Sequence, residues 1–149
     1  HLVGEVVDVI GEGSTQTSKT VSASGGITLD TATEQAKVGL LYSSDLQTMR
    51  LDEGFSETTQ TKTKRIYDLS IRFQDTVGAS VGPNAANLTA IDFRASGSPM
   101  NLPIPLFTGD KTIEFDTGYG TEGLVYVQQP QALPMTILGI YPRLETESV

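Results

Sequence analysis

Three carboxylates, Asp110, Asp116 and Glu122, are the side chains best suited to gather a hard cation. Ca²⁺ prefers oxygen ligands, and loops that brought these three together would supply them. No EF-hand spacing is present, so solvated loop carboxylates are the favoured reading and no metal is assigned. Two acids also suffice for glycoside hydrolysis. With 18 Asp plus Glu in the chain, however, a suitable-looking pair arises by number alone, and we read neither an enzyme nor a cofactor. The aromatics Tyr42, Phe55 and Tyr119 can stack on sugars, although packing in a core or interface is the commoner use of such rings.

Other chemistries are restricted by composition. Cysteine is absent, which removes disulfides and thiolate metal sites. The one histidine is His1, at the end of the chain, where it is a poor base for a catalytic dyad. "GYGTEG", with Gly118, Gly120 and Gly123, matches G-x-G-x-x-G literally. A dinucleotide site needs a helix after that loop, and here the strand-like "LVYVQQP" follows, so we read a hairpin turn. Asn87-Leu88-Thr89 fits an N-glycosylation acceptor, but a turn leading into a strand is the favoured reading. The formal net charge of −8 opposes sequence-specific nucleic-acid binding, which needs clustered Lys and Arg. Lys62, Lys64 and Arg65 do gather, but Asp52, Glu53 and Glu57 dilute them. No apolar run approaches about 20 residues, so no membrane-spanning helix is expected. The chain opens on His1 rather than Met, and we read it as a segment of a longer polypeptide.

The elements that must position these residues read as strands. The 15 Gly and 7 Pro, with abundant Ser and Thr, suit short strands joined by tight turns. "LVGEVVDVIGEG" predicts a strand ending in a Gly-rich turn, and Gly25-Gly26 predicts a hairpin between "SKTVSAS" and "ITLD". Residues 31–36 predict one helical turn capped by Asp30. "KVGLLYSSDLQTMRL" predicts a bent strand kinked at Gly39. "FSETTQTKTKR" reads as a polar tip or an interaction loop. In "RIYDLSIRFQD", Tyr67, Leu69, Ile71 and Phe73 alternate with polar residues, the clearest period of two in the chain. A Gly82-Pro83 turn is expected next. "PMTILGIYPRL" is apolar on both faces and predicts a central strand, followed by a frayed "ETESV" tail. In "LFTGDKT", Gly109-Asp110 reads as a turn, with Leu106 and Phe107 capping the core beside Ile113 and Phe115. The expectation is an all-β fold: a single domain over residues 1–149, a β-sandwich or barrel of about ten short, mostly antiparallel strands.

Several stretches together carry a resemblance. "AKVGLLYSSDLQTMRLDEG" resembles the "VHVGLPY" block of a large virion protein of tailed bacteriophages, with Leu41 where that block has Pro. "KTKRIYDLSIRFQDTVGASVGPNAANLTAIDFR" resembles its next block. "PLFTGDKTIEF" and "GTEGLVYVQQPQALPMTILGIYPRLE" resemble its closing block. The family is the tail nozzle, or tail tubular protein B, group of short-tailed phages, and the likeness is to its C-terminal portion. It implies a structural, non-enzymatic virion component. That component would contact like subunits of a ring and neighbouring tail proteins around the DNA conduit. A carbohydrate- or host-receptor-binding β-sandwich module of a phage tail is the alternative, which Tyr-bearing loops would also suit.

Overall fold

A computed structural model describes residues 1–52, 59, 62–115 and 117–147. Among them are ten strands and no helix: β1 (Val6–Gly11), β2 (Ser14–Thr20), β3 (Ala36–Leu40), β4 (Ser44–Gln47), β5 (Thr63–Thr76), β6 (Ala79–Asn84), β7 (Asn87–Ile91), β8 (Phe107–Glu114), β9 (Tyr126–Gln129) and β10 (Thr136–Glu147). They form three antiparallel sheets, ordered β2-β1-β3, β10-β5-β8 and β4-β9-β6-β7. The all-β expectation is met.

The last two sheets share one core. Ile66, Leu69, Ile71 and Phe73 of β5 belong to the same buried cluster as Ala79 and Val81 of β6 and Val127 of β9. Val77, Phe93, Phe115 and Val125, in the connections, complete it, with the Phe93 ring edge-on to Phe73 at 5.3 Å. Two inward faces closing on one another is sandwich packing. The small β2-β1-β3 sheet buries Val7 and Val9 outside that cluster. Its β1–β2 turn places both central residues at positive φ, Glu12 at 50° and Gly13 at 84°, the geometry that matches hairpin twist.

Period two fails locally within β5. Leu69, Ile71 and Phe73 are fully buried, yet Tyr67 is exposed and Ile66 takes the inward place. Arg143 pairs with Asp68 and Leu144 with Ile66, so Tyr67 is the extra residue of a bulge. A bulge reverses the phase of alternation beyond it.

Several other local expectations are corrected. Residues 27–30 are not a strand, and β2 pairs with β1 instead. Gly25 and Gly26 close a local turn on Ser22. No helical turn follows Asp30, whose N–H donates to the Gln16 side chain while its carboxylate pairs with Lys19. Gly39 lies in regular register opposite Asp8, without a bulge. Gly82 and Pro83 lie within β6, and the turn follows at residues 85–86. Gly109 and Asp110 lie inside β8, and Leu106 is exposed, while Phe107 does pack on the core. β10 is an edge strand, and its pairing runs on through Glu147, opposite Thr63.

Candidate interaction surface

Of the three carboxylates considered for a cation, Asp110 and Glu122 are held by separate arginines. Arg72 and Asp110 face each other across the β5–β8 ladder. Arg72 Nε and Nη2 donate to Asp110 Oδ1 and Oδ2 at 2.7 and 2.8 Å, a two-pronged ion pair. These bonds hold the Asp110 carboxyl below its ordinary range. The Arg72 guanidinium also lies 5.8 Å from the Tyr141 ring centroid. Glu122 accepts from Arg50 Nη2 at 2.7 Å. No group of three or more metal-ligating side chains occurs among the described residues. Asp116 and Phe55 lie outside the described residues.

The two described aromatics stand in different places. Tyr119 is in the connection between β8 and β9. These strands belong to different sheets, so "GYGTEG" is a crossover rather than a hairpin turn. Gly120 fixes this crossover by exchanging backbone hydrogen bonds with Lys64 at 2.8 and 3.0 Å. The Tyr119 hydroxyl donates to Glu145 Oε2 at 3.2 Å, and Arg65 stands 5.9 Å from the ring centroid. Loss of hydration, then the Glu145 carboxylate, raises the Tyr119 phenol above the ordinary tyrosine range. Asn87 opens β7 directly after the turn, as the turn-into-strand reading expects.

Tyr42 is 57% exposed and follows β3. It helps line a groove with Ile10, Pro105, Leu106 and Leu133. This groove adjoins a run of apolar residues that the fold leaves uncovered. Every residue of β3 is exposed, including Val38 and Leu40. The exposure continues through Leu41, Tyr42, Leu46 and Met49, as the chain passes from the small sheet to β4 of the sandwich.

The outer strands differ in how they are defended. An open strand edge offers unpaired N–H and C=O groups, which charges, proline and bulges normally blunt. β10 carries Pro142 and charged residues, with a bulge at Leu138. β8 carries Asp110, Lys111 and Glu114. β2 is polar and bulged, with Ser18 at φ 58°. β4 carries Asp45; β7 is short, with neither charge nor proline; β3 is regular, lacks proline, has Lys37 as its one charge, and has every residue exposed. Of this surface, sequence reasoning singled out Tyr42 alone, because periodicity does not show which apolar residues of a run such as "VGLLY" stay uncovered.

No protein-family model matches the chain, and no curated protein matches its sequence. No helix among the described residues is long and apolar enough to cross a membrane.

Proposed function

We propose that this chain is a structural module of a bacteriophage tail, assembling with like subunits and neighbouring tail proteins around the DNA conduit of the virion. The exposed apolar stretch from Val38 to Met49, with the open edge of β3, carries the reading. Large side chains left uncovered in succession are the ordinary mark of a protein–protein contact. The same stretch contains the first block of resemblance to tail nozzle proteins. The net charge of −8 is consistent with a DNA conduit, since a negative wall repels phosphate and does not retain the passing duplex. The role is one of assembly, without catalysis.

Cryo-electron microscopy of the virion that carries the parent polypeptide tests this. The expected density is a ring at the tail in which residues 36–49 lie against a neighbouring subunit or tail protein. A domain projecting freely from the particle would favour receptor binding instead. Absence from the virion would overturn the assignment.

A further inference from the structure

We propose that β3 pairs with β3 of a second copy of this chain, antiparallel and centred on Val38. Two three-stranded sheets would then join into one continuous sheet across a two-fold axis.

The phase of the ladder fixes which backbone groups of β3 are open. The two-residue turn at Glu12 and Gly13 is closed by Gly11 and Ser14. The Gly11 C=O therefore accepts from the Ser14 N–H and faces β2. At the other end of β1, the Glu5 C=O accepts from the Val21 N–H at 3.0 Å. Both ends give one phase: the backbone groups of Val7, Val9 and Gly11 face β2, and those of Asp8 and Ile10 face β3. Asp8 stands opposite Gly39, and Ile10 opposite Lys37. Gly39 and Lys37 are thus bonded to β1, while the N–H and C=O groups of Ala36, Val38 and Leu40 point outward. No hydrogen bond beyond the β1 ladder reaches these three residues, and each is exposed.

A second β3 satisfies this row in one register. Centred on Val38, an antiparallel partner sets Val38 against Val38 and Ala36 against Leu40, and every outward group is paired. A shift by two residues leaves the groups of Ala36 or of Leu40 without a partner in β3. A shift by one sets outward groups against groups already bonded to β1.

The side chains agree with that register. On one face, Val9 and Val7 are the cross-strand neighbours of Val38 and Leu40. Pairing extends these apolar rows across the axis, Val38 to its own copy and Leu40 to Ala36. It covers two side chains that are 46% and 55% exposed. On the other face, Lys37 meets Gly39, where a Cβ would find nothing within 4 Å. The next residue of that row is Asp8. Lysine therefore approaches a glycine and an acid, and no like charges stand opposite each other. An unrelated strand would need this same alternation, which the chain itself already carries.

The contact is isologous, unlike the head-to-tail contacts that close a ring. It does not rest on the tail role, so its failure leaves that reading standing. Repulsion between copies of charge −8 opposes pairing, and salt screens it.

The test is sedimentation of the chain at up to about 1 mM in about 0.5 M salt, with amide hydrogen exchange on the same samples. Reversible dimers are expected. In them the amides of Ala36, Val38 and Leu40 gain at least about tenfold protection, and those of Lys37 and Gly39 do not change. Val38→Lys sets two lysines against each other at a half-exposed position, and should raise the dimer dissociation constant by at least about tenfold. The chain has no cysteine, so cross-linking reads the register directly. Paired Cα atoms at the axis lie about 5.5 Å apart, within disulfide range. The two Leu40 residues are displaced by about 14 Å along the strands. On oxidation, Val38→Cys should form covalent dimers and Leu40→Cys should not. The proposal is overturned by a chain that stays monomeric under these conditions, which would leave the edge to a different partner. It is overturned equally if protection falls on other amides, if Val38→Lys dimerises like the parent, or if Leu40→Cys cross-links as readily as Val38→Cys.

Discussion

Replacing Gly82 by alanine adds one methyl group at a place where the fold has no room for it. A Cβ on Gly82 would lie 1.7 Å from the Asn87 carbonyl oxygen and 2.8 Å from its carbon. An ordinary carbon–oxygen contact is about 3.3 Å, so the carbonyl would have to retreat by about 1.6 Å. Both atoms are backbone, at the start of β7, and no rotamer change relieves them. Gly82 is not at positive φ, so the cost is steric rather than conformational. Overpacking of this kind costs about 1–3 kcal/mol. The two bonds from Asn84 Oδ1 to the turn would be strained as well, at about 1 kcal/mol together. The expected loss is therefore about 3 kcal/mol, a large share of the about 5–15 kcal/mol that holds a domain folded. With an m-value of about 2 kcal/mol per molar, the urea midpoint falls by about 1.5 M. Gly39→Ala is the control, because the same methyl group there meets nothing within 4 Å and the φ is not left-handed. It should be neutral or slightly stabilising, by up to about 0.5 kcal/mol. Equal midpoints for the two variants would refute the close approach of β7 to β6 at Gly82.

Further outcomes are expected at the charged groups and at β3. Arg72 lowers the Asp110 pKa below its ordinary 3.8. The pair therefore adds stability above that value, and this contribution disappears as pH falls through the lower folded pKa. Arg72→Met should flatten that part of the acid-unfolding profile, and added salt should shrink the difference, because both side chains are half exposed; identical parent and variant profiles would refute this. Lys64 is 1% exposed, with Nζ donating to the Leu51 carbonyl at 2.7 Å and its stem packed over Gly123. In urea unfolding, Lys64→Met keeps the stem and should lose about 1–2 kcal/mol. Lys64→Ala also opens a void and should lose about 3–4 kcal/mol; equal losses would show that the stem contributes nothing. On the proposed tail role, Leu40→Lys with Leu41→Lys should leave thermal unfolding of the chain nearly unchanged and reduce incorporation into particles. Unaltered incorporation would count against the β3 contact.

The sheets were legible strand by strand and not as an assembly. β5 was evident because Leu69, Ile71 and Phe73 alternate with polar residues and are buried as alternation requires. Its bulge at Tyr67 left no local trace, since neither glycine nor a positive φ marks it. β10 shows the opposite case. Its two-sided apolar pattern suggested a central strand, but Pro142 cannot donate to a ladder and marked an edge within the sequence itself. The "GYGTEG" crossover was misread because hairpin and crossover turns use the same residues. Only the sheets to which β8 and β9 belong distinguish them. That membership is set by long-range pairing, as when β5 reaches β8 to join Arg72 with an aspartate 38 positions away.

The candidate surface was hidden for a related reason. Burying a large apolar side chain contributes about 1.5–3 kcal/mol, so a dense apolar run is assigned to the interior unless something opposes it. Periodicity records which residues are apolar, not what covers them. In β1, Val7 and Val9 are fully buried, while their cross-strand partners in β3, Leu40 and Val38, are about half exposed. The same residue types in the same sheet thus have opposite burial. What separates them is position, since β1 is flanked on both sides and β3 on one. A chain that leaves such a strand open forgoes stabilisation that a second surface would restore, and it also exposes an unpaired row of backbone groups. The place where local sequence rules fail is thus the place where an interaction partner would account for the residues present.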